Sequence, residues 1–224
     1  MKEDPYYKAW KRQVVSKPEL DGGGWFQAQF FGDYLQKHRV NTIYEWCCGP
    51  AWIGLWLLEL GIGKELVVSD VNPAALACVR ESASRLGHTV RVYESDNLKQ
   101  IPHEETFDLI VANPPNYSNI QESHPSGYMR YDLRPSDLDW KLHREFYQGI
   151  RPHLRPEGKI LISEVGVEMS EIRLHGHLYD KRSRPAIEDF QEMWKDNGLR
   201  LVDTEEYYRT EGIPHILMEI ESSR

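Results

Sequence analysis

From Val40 onward, short apolar runs of β type alternate with helix-like segments, and four of the runs lead into a carboxylate or an asparagine: Glu45, Asp70, Asp96 and Asn113. This alternation selects an α/β fold with a mostly parallel sheet and helices on both faces, because parallel neighbours need a crossover and the crossover is usually a helix. Residues 42–44 form the first run, and residues 52–60 the first helix, closed by Gly61 and Gly63. Leu66-Val67-Val68 leads to Asp70; Asn72 then caps a helix with Pro73 in its first turn and Gly87 as its stop. Val90 and Val92 mark a third strand before Asp96, and residues 107–112 a fourth, apolar enough to be covered on both sides. Ser136, with Asp139 as capping-box partner, opens a helix reaching Leu154. Residues 159–165 read as a fifth strand, and residues 185–197 as a helix ended by Gly198. Two strands follow, over 199–204 and 215–221, with only a hairpin-sized loop between them, so one of them runs antiparallel. Ligands of such sheets sit beyond the carboxyl ends of the strands, where the four polar residues gather.

Residues 1–39 form an aromatic-rich leader, too short for a domain of its own, that is expected to pack on the 40–224 body as a helix or two. Its most apolar stretch, Trp25 to Phe31, follows the flexible joint Gly22-Gly23-Gly24 and reads as core packing or a lid. No run approaches the roughly 20 apolar residues of a membrane span, and the polar start lacks a signal-peptide core, which points to a soluble, cytoplasmic protein without a membrane partner. The 27 Lys and Arg against 35 Asp and Glu, net −8, weigh against nucleic acid without excluding a local basic patch. Cys47, Cys48 and Cys78 contain no C-x-x-C pair, so buried reduced thiols are expected rather than disulfides or zinc.

The segment Glu45-Trp46-Cys47-Cys48-Gly49-Pro50-Ala51-Trp52-Ile53-Gly54 joins the first strand to the first helix. It fits a tight turn and a ligand loop equally well. It is no dinucleotide fingerprint, since Cys47, Gly49 and Ala51 hold the glycine-like positions of G-x-G-x-x-G, which disfavours a nicotinamide-dependent oxidoreductase; and no phosphate-loop lysine follows. Asp70 can accept both hydroxyls of a ribose, or merely cap the next helix; Asp96 has the same ambiguity, with an adenine amino group as its functional partner. Asn113-Pro114-Pro115-Asn116 follows the fourth strand, where two prolines fix φ and remove two N–H donors. The Asn113 amide oxygen and the Pro114 carbonyl can then hold the two N–H bonds of an amino group.

Taken together, Glu45 to Gly54, Asp70, Asp96 and Asn113 to Asn116 resemble the class I S-adenosylmethionine-dependent methyltransferases, in the subgroup with an N-P-P-Y-type motif, over about residues 40–221. The resemblance implies a Rossmann-like methyltransferase fold with a seven-stranded sheet and an antiparallel last strand. It implies that Glu45, Cys47, Gly49 and Ala51 border the methionine part of S-adenosyl-L-methionine. Asp70 with Val71 would hold its ribose, and Asp96 with Asn97 its adenine. Asn113 and Pro114 would be catalytic, holding the nitrogen to be methylated, with Asn113 also counted among the cofactor-binding residues and no metal involved. Two residues depart from the pattern: Ala51 replaces the last glycine of the first motif, and Asn116 stands where a stacking Tyr or Phe is usual.

Enzymes of this subgroup act on adenine in DNA or RNA, guanine in ribosomal RNA, and the glutamine amide of release factors. Residues 107–116 and 154–164 look most like the glutamine enzymes, so the leading expectation is N-methylation of an amide or amine in a protein, peptide or small molecule. A nucleic-acid base is the alternative, followed by a non-catalytic cofactor-binding subunit. Pro115, Asn116, Tyr117, Tyr128 and Arg130 are the expected substrate contacts, within a 117–134 segment that also carries His124, Tyr131 and Asp132. A second overhanging segment, 166–184, holds Glu168, His175, His177, Tyr179, Arg182 and Arg184; the His175-x-His177 pair lacks a third metal ligand in register.

Overall fold

The computed structural model describes residues 5–17, 20, 24–115, 137, 140–165, 173–174, 177–178, 187–208 and 214–223. In chain order the elements are α1 (Pro5–Lys11), α2 (Gly24–Leu35), β1 (Thr42–Trp46), α3 (Trp52–Glu59), β2 (Glu65–Asp70), α4 (Pro73–Leu86), β3 (Val90–Glu94), β4 (Phe107–Ala112), α5 (Lys141–Ile150), β5 (Leu154–Val165), β6 (Arg173–Leu174), β7 (His177–Leu178), α6 (Ile187–Asp196), β8 (Leu199–Tyr208) and β9 (Pro214–Ser222). Seven strands form one sheet in the order β3-β2-β1-β4-β5-β9-β8, while β6 and β7 pair as a separate ribbon. The first five sheet strands are parallel neighbours, and β9 lies antiparallel between β5 and β8. The sheet is therefore the mostly parallel one expected, with its antiparallel strand contributed by the last element of the chain.

Two apolar layers cover this sheet. On one face α1, α2, α3 and α4 enclose Ile43, Leu66, Val68, Leu109 and Val111; on the other α5 and α6 enclose Tyr44, Trp46, Val67, Ile110 and Ile160. Alternation along each strand produces this division, since successive side chains point to opposite faces. The leader belongs to the first layer. Tyr7 and Trp10 of α1 meet Trp56 of α3 with ring centroids 4.8 Å apart in each case. Phe26, Ala28 and Phe31 of α2 are buried, whereas Trp25 and Phe30 are only partly so, and Phe30 stacks on Tyr207 of β8 at 3.7 Å.

Several boundaries move from their expected positions. β1 ends at Trp46 rather than Glu45, and Gly24 is the first residue of α2 rather than part of a joint. The helix expected over 136–154 is shorter: α5 runs from Lys141 to Ile150, a 3-10 turn covers Arg151–His153, and Leu154 already pairs with Phe107. Its first turn is capped by Asp137, whose carboxylate accepts from Leu142 N at 2.7 Å and His143 N at 3.0 Å; Ser136 and Asp139 lie outside the described residues. β5 starts earlier than expected because the chain regains the sheet before Glu157 (φ 66) and Gly158 interrupt the register. β8 continues past Thr204 to Tyr208 because β9 gives it a partner along that length.

Gly32 lets α2 lie close on α3: a Cβ there would stand 2.6 Å from Trp56 Nε1 and 2.8 Å from Leu60 Cδ1. Gly32→Val should therefore lower unfolding stability in urea by about 2 kcal/mol through overpacking. Gly32→Ala should cost less, since better helix propensity returns about 1 kcal/mol. Wild-type stability in Gly32→Val would show that the leader does not pack this closely.

Candidate active site at the β1–β4 switch point

Strand order reverses at β1 and β4: the chain builds outward to β2 and β3 on one side, and later to β5 on the other. Diverging crossovers leave a crevice at the carboxyl ends of these two strands. Trp46 pairs with both Ser69 and Ala112, and Ala112 with Ile162. The next residues, Cys47, Asp70 and Asn113, thus emerge at neighbouring strand tips, level with Ser163 of β5, which runs on to Val165.

The loop after β1 adopts left-handed backbone at alternate residues: Cys47 (φ 52), Gly49 (φ 49) and Ala51 (φ 60). These are the three glycine-like positions, and at the two non-glycine residues the conformation costs of order 1 kcal/mol each. Hydrogen bonds hold the loop against that strain. Cys48 N donates to Ser69 O at 3.0 Å, Gly49 N to Asp70 Oδ2 at 2.8 Å, and Gly54 N to Glu45 Oε2 at 2.7 Å. Asp70 also receives Asn72 N on Oδ1 at 2.9 Å. Burial raises its pKa, opposed by the Asn72, Gly49 and Val71 amides.

Glu45 is 3 % exposed, and burial pushes its carboxyl up to about 8 against the pull of the Gly54 and Ile53 amides. It is mostly neutral at neutral pH and ties β1 to α3. Burial, reinforced by nearby carboxylates, raises the Cys47 and Cys48 thiols well above their ordinary pKa, so neither is a thiolate nucleophile. Cys48 and Cys78 are buried as expected, but Cys47 is only half-buried.

At the β3 end, Asp96 is exposed and paired with Lys99 at 2.5 Å. Its neighbour Asn97 turns inward: it is 4 % exposed, donates from Nδ2 to Leu142 O at 2.9 Å, and has a buried Oδ1 without a hydrogen-bond partner among the described residues. Val71 is 42% exposed beside Asp70.

At the β4 end, Asn113 Oδ1 accepts a 2.8 Å hydrogen bond from Gln27 Nε2 of α2. Gln27 Nε2 also donates to Ser163 Oγ at 3.3 Å, and Ser163 Oγ meets Tyr207 Oη at 2.6 Å. Pro114 is buried and Pro115 half-buried. Asn116, Tyr117, Tyr128 and Arg130 lie outside the described residues, as do His124, Tyr131, Asp132, Glu168, His175, Tyr179, Arg182 and Arg184. His177 begins β7, and its side chain is not described; no cluster able to hold a metal ion occurs among the described residues. No helix of the described residues is long and apolar enough to cross a membrane.

A charged triad lies behind this crevice. His143 of α5 is fully buried, with Nδ1 2.6 Å from Asp137 Oδ2 and Nε2 2.8 Å from Glu164 Oε1. Burial works against its charge, but the two carboxylates prevail and raise its pKa to about 9, giving a buried imidazolium. Trp46, Trp140 and Phe190 surround the ring. Nothing in the spacing of the sequence assigns these residues a role. The available signals are Ser163 and Glu164 interrupting an apolar strand, and Gln27 amid the apolar residues of α2.

A family model described as the methyltransferase small domain matches residues 10–126. The release factor glutamine methyltransferase of Bordetella pertussis is 34% identical over 114 residues, 45% of this chain and 42% of that protein. The ribosomal RNA small subunit methyltransferase C of Pseudoalteromonas atlantica is 24% identical over 149 residues, 66% of this chain and 37% of that protein. The chain thus spans less than half the length of either relative. An S-adenosylmethionine-dependent methyltransferase structure from Clostridium acetobutylicum superposes with TM-score 0.60 at 11% identity, covering 98% of this chain and 97% of that one; this is a likeness of fold, Rossmann-like as expected.

The triad ties stability to pH. A His143 pKa raised from 6.5 to about 9 contributes stability that is fully present below pH 6.5 and is lost as pH rises through about 9. Thermal midpoints should therefore fall between about pH 7 and about pH 9.5, and His143→Gln should start lower and stay flat across that interval. A wild-type midpoint constant over the interval would remove the buried imidazolium.

Proposed function

This chain belongs to the methyltransferase small domain family, and on that footing we propose that it is an S-adenosylmethionine-dependent N-methyltransferase acting on an amide or amine nitrogen of a protein or peptide side chain or a small molecule. The observation that carries this reading is the position of Asn113 and Pro114, directly after β4 at the switch point and one strand from the Cys47–Ala51 loop.

The donor set around that position suits the cofactor. Asp70 accepts Gly49 N on Oδ2 and Asn72 N on Oδ1, and its carboxylate oxygens have further lone pairs for the ribose hydroxyls. Val71 offers exposed apolar surface, and the unpartnered Oδ1 of Asn97 suits the adenine amino group, with Asp96 beside it. Cys47, Gly49 and Ala51 would border the methionine part. Glu45 enters this reading as the brace of that loop, because its carboxylate is turned to Gly54 N. Bound S-adenosylmethionine would supply a methyl group activated by its sulfonium.

The protein's own contribution is orientation and electrostatics. Asn113 Oδ1 and the Pro114 carbonyl would accept the two N–H bonds of the acceptor, aiming its lone pair and stabilising the positive charge that develops on nitrogen. Pro115, Asn116, Tyr117, Tyr128 and Arg130 would flank the acceptor. A protein, peptide or small-molecule acceptor is favoured over nucleic acid by the net charge of −8. The match to a ribosomal RNA enzyme keeps an RNA base as the second reading. The three cysteines, none of them in a disulfide, suit a reducing, cytoplasmic setting, and residues 1–39 would act as a leader that completes the 40–224 body.

Calorimetry should detect S-adenosylmethionine binding, and tritiated-methyl transfer should label a protein or small-molecule cell fraction. Asn113→Ala should keep cofactor affinity within about threefold and lower transfer by about a hundredfold or more. Unchanged transfer would exclude Asn113 from the reaction. Label confined to RNA, together with steeply salt-dependent oligonucleotide binding, would establish the second reading instead.

A further inference from the structure

Asparagine is an ambiguous choice for a hydrogen-bond acceptor at a strand tip. Its side-chain amide has an oxygen end and a nitrogen end of nearly equal size, and only neighbouring groups decide which end occupies a given place. In most loops the deciding donor is local, since an asparagine oxygen commonly takes the backbone N–H two residues ahead. Here that donor is absent, because Pro114 and Pro115 both lack an N–H. The two prolines that remove backbone donors at the strand tip thus also remove the group that would orient Asn113.

The missing donor comes from the leader. Gln27 is 2 % exposed, and its Nε2 lies 2.8 Å from Asn113 Oδ1. Its second N–H is directed at Ser163 Oγ, 3.3 Å away, and Ser163 is in turn held by Tyr207. The helix that carries Gln27 is itself fixed, because α2 is clamped between α3 at Gly32 and β8 through the Phe30–Tyr207 stack, while Gln27 Oε1 is buried with no hydrogen-bond partner among the described residues. Turning the Asn113 amide over would set its NH₂ against the buried NH₂ of Gln27, two donors facing each other.

We propose that Gln27 is a positioning residue: from the leader helix it fixes the Asn113 amide with its oxygen in the place required of an acceptor, leaving that oxygen's second lone pair for the nitrogen to be methylated. The proposal rests on the reading of Asn113 and Pro114 as the acceptor clamp. It makes α2 a working part of the site rather than a cover, since the 40–224 body alone contains Asn113 without the donor that orients it.

The test uses the full chain and near-isosteric variants. Gln27→Glu replaces the Nε2 donor by an oxygen, and Gln27→Met removes hydrogen bonding while keeping length and tolerating burial. With the acceptor fraction found by methyl transfer, kcat should fall about tenfold in Gln27→Met and about a hundredfold in Gln27→Glu, while the S-adenosylmethionine Kd stays within about threefold. Tyr34→Phe is the control for general leader docking. It loses a 2.9 Å bond from the same helix to Glu219 but leaves Asn113 untouched, and should keep kcat within about twofold. Independently of turnover, nitrogen-edited proton NMR should show the Gln27 side-chain NH₂, assigned by its loss in Gln27→Met, shifting and exchanging faster in Asn113→Ala. Wild-type kcat in both Gln27 variants, a loss expressed only in cofactor affinity, or an NH₂ signal indifferent to Asn113→Ala would each overturn the assignment. Absence of cofactor binding by the wild-type chain would sink the methyltransferase reading, and the NMR result would still decide the contact.

Discussion

The pairing of β1 with β4 is the constraint on which the rest of the structure depends. Because β1 is first in sequence yet third from the β3 edge and fifth from the β8 edge, the chain must build outward twice from inside the sheet. Each half carries its crossovers away from the centre, and the crevice between them opens over the tips of β1 and β4. The left-handed loop and the proline-paired tip occupy those two positions. They are adjacent across a ladder whose register, Trp46 against Ala112, is fixed by burial on both faces.

Strand alternation then divides the support of the site between the two helical layers. Ser163 is linked to Gln27 on the α2 side, and the next residue, Glu164, is linked to His143 of α5. Asn113, which follows the residue opposite Ile162, joins the α2 side with Ser163. One face thus holds the tip with neutral hydrogen bonds anchored by a leader helix, and the other with a buried charge shared among His143, Asp137 and Glu164. Breaking one partner of such a buried charged group leaves the others unsatisfied. The α5 side is therefore the more sensitive to pH, and the α2 side the more sensitive to helix docking.

The succession of strands and helices and the mostly parallel sheet were legible in the sequence because they rest on local signals: β-type runs, the Asn72-Pro73 cap and glycine stops. Boundaries failed where tertiary contacts decide them. Asp137 caps α5 from four residues before the helix begins, which no capping-box spacing anticipates. β8 is lengthened by its partner rather than by its own composition. Glu45 was legible as an acid at the end of the first strand but not as a brace, since its use depends on Gly54 returning to it across the loop. Gln27 was illegible for the same reason: its partner lies 86 residues away, and a single polar residue in an apolar helix carries no address.

The same dependence on distant partners explains how the first loop does without most of its glycines. Left-handed backbone at Cys47 and Ala51 is disfavoured locally, and only Gly49 of the three adopts it freely. The bonds of Cys48 N to Ser69 O, Gly49 N to Asp70 and Gly54 N to Glu45 over-determine the loop from two strands, so the strained residues have no relaxed conformation that keeps all three. Burial keeps the Glu45 carboxyl mostly neutral near pH 7, which lets it accept the Gly54 amide in the core without a full buried charge. Ala51 contributes a fully buried methyl to the α2–α3 layer, a contact that glycine could not make. The departure from the usual glycine pattern is thus an exchange of backbone ease for packing, in the same apolar layer as the leader helix whose Gln27 hydrogen-bonds Asn113.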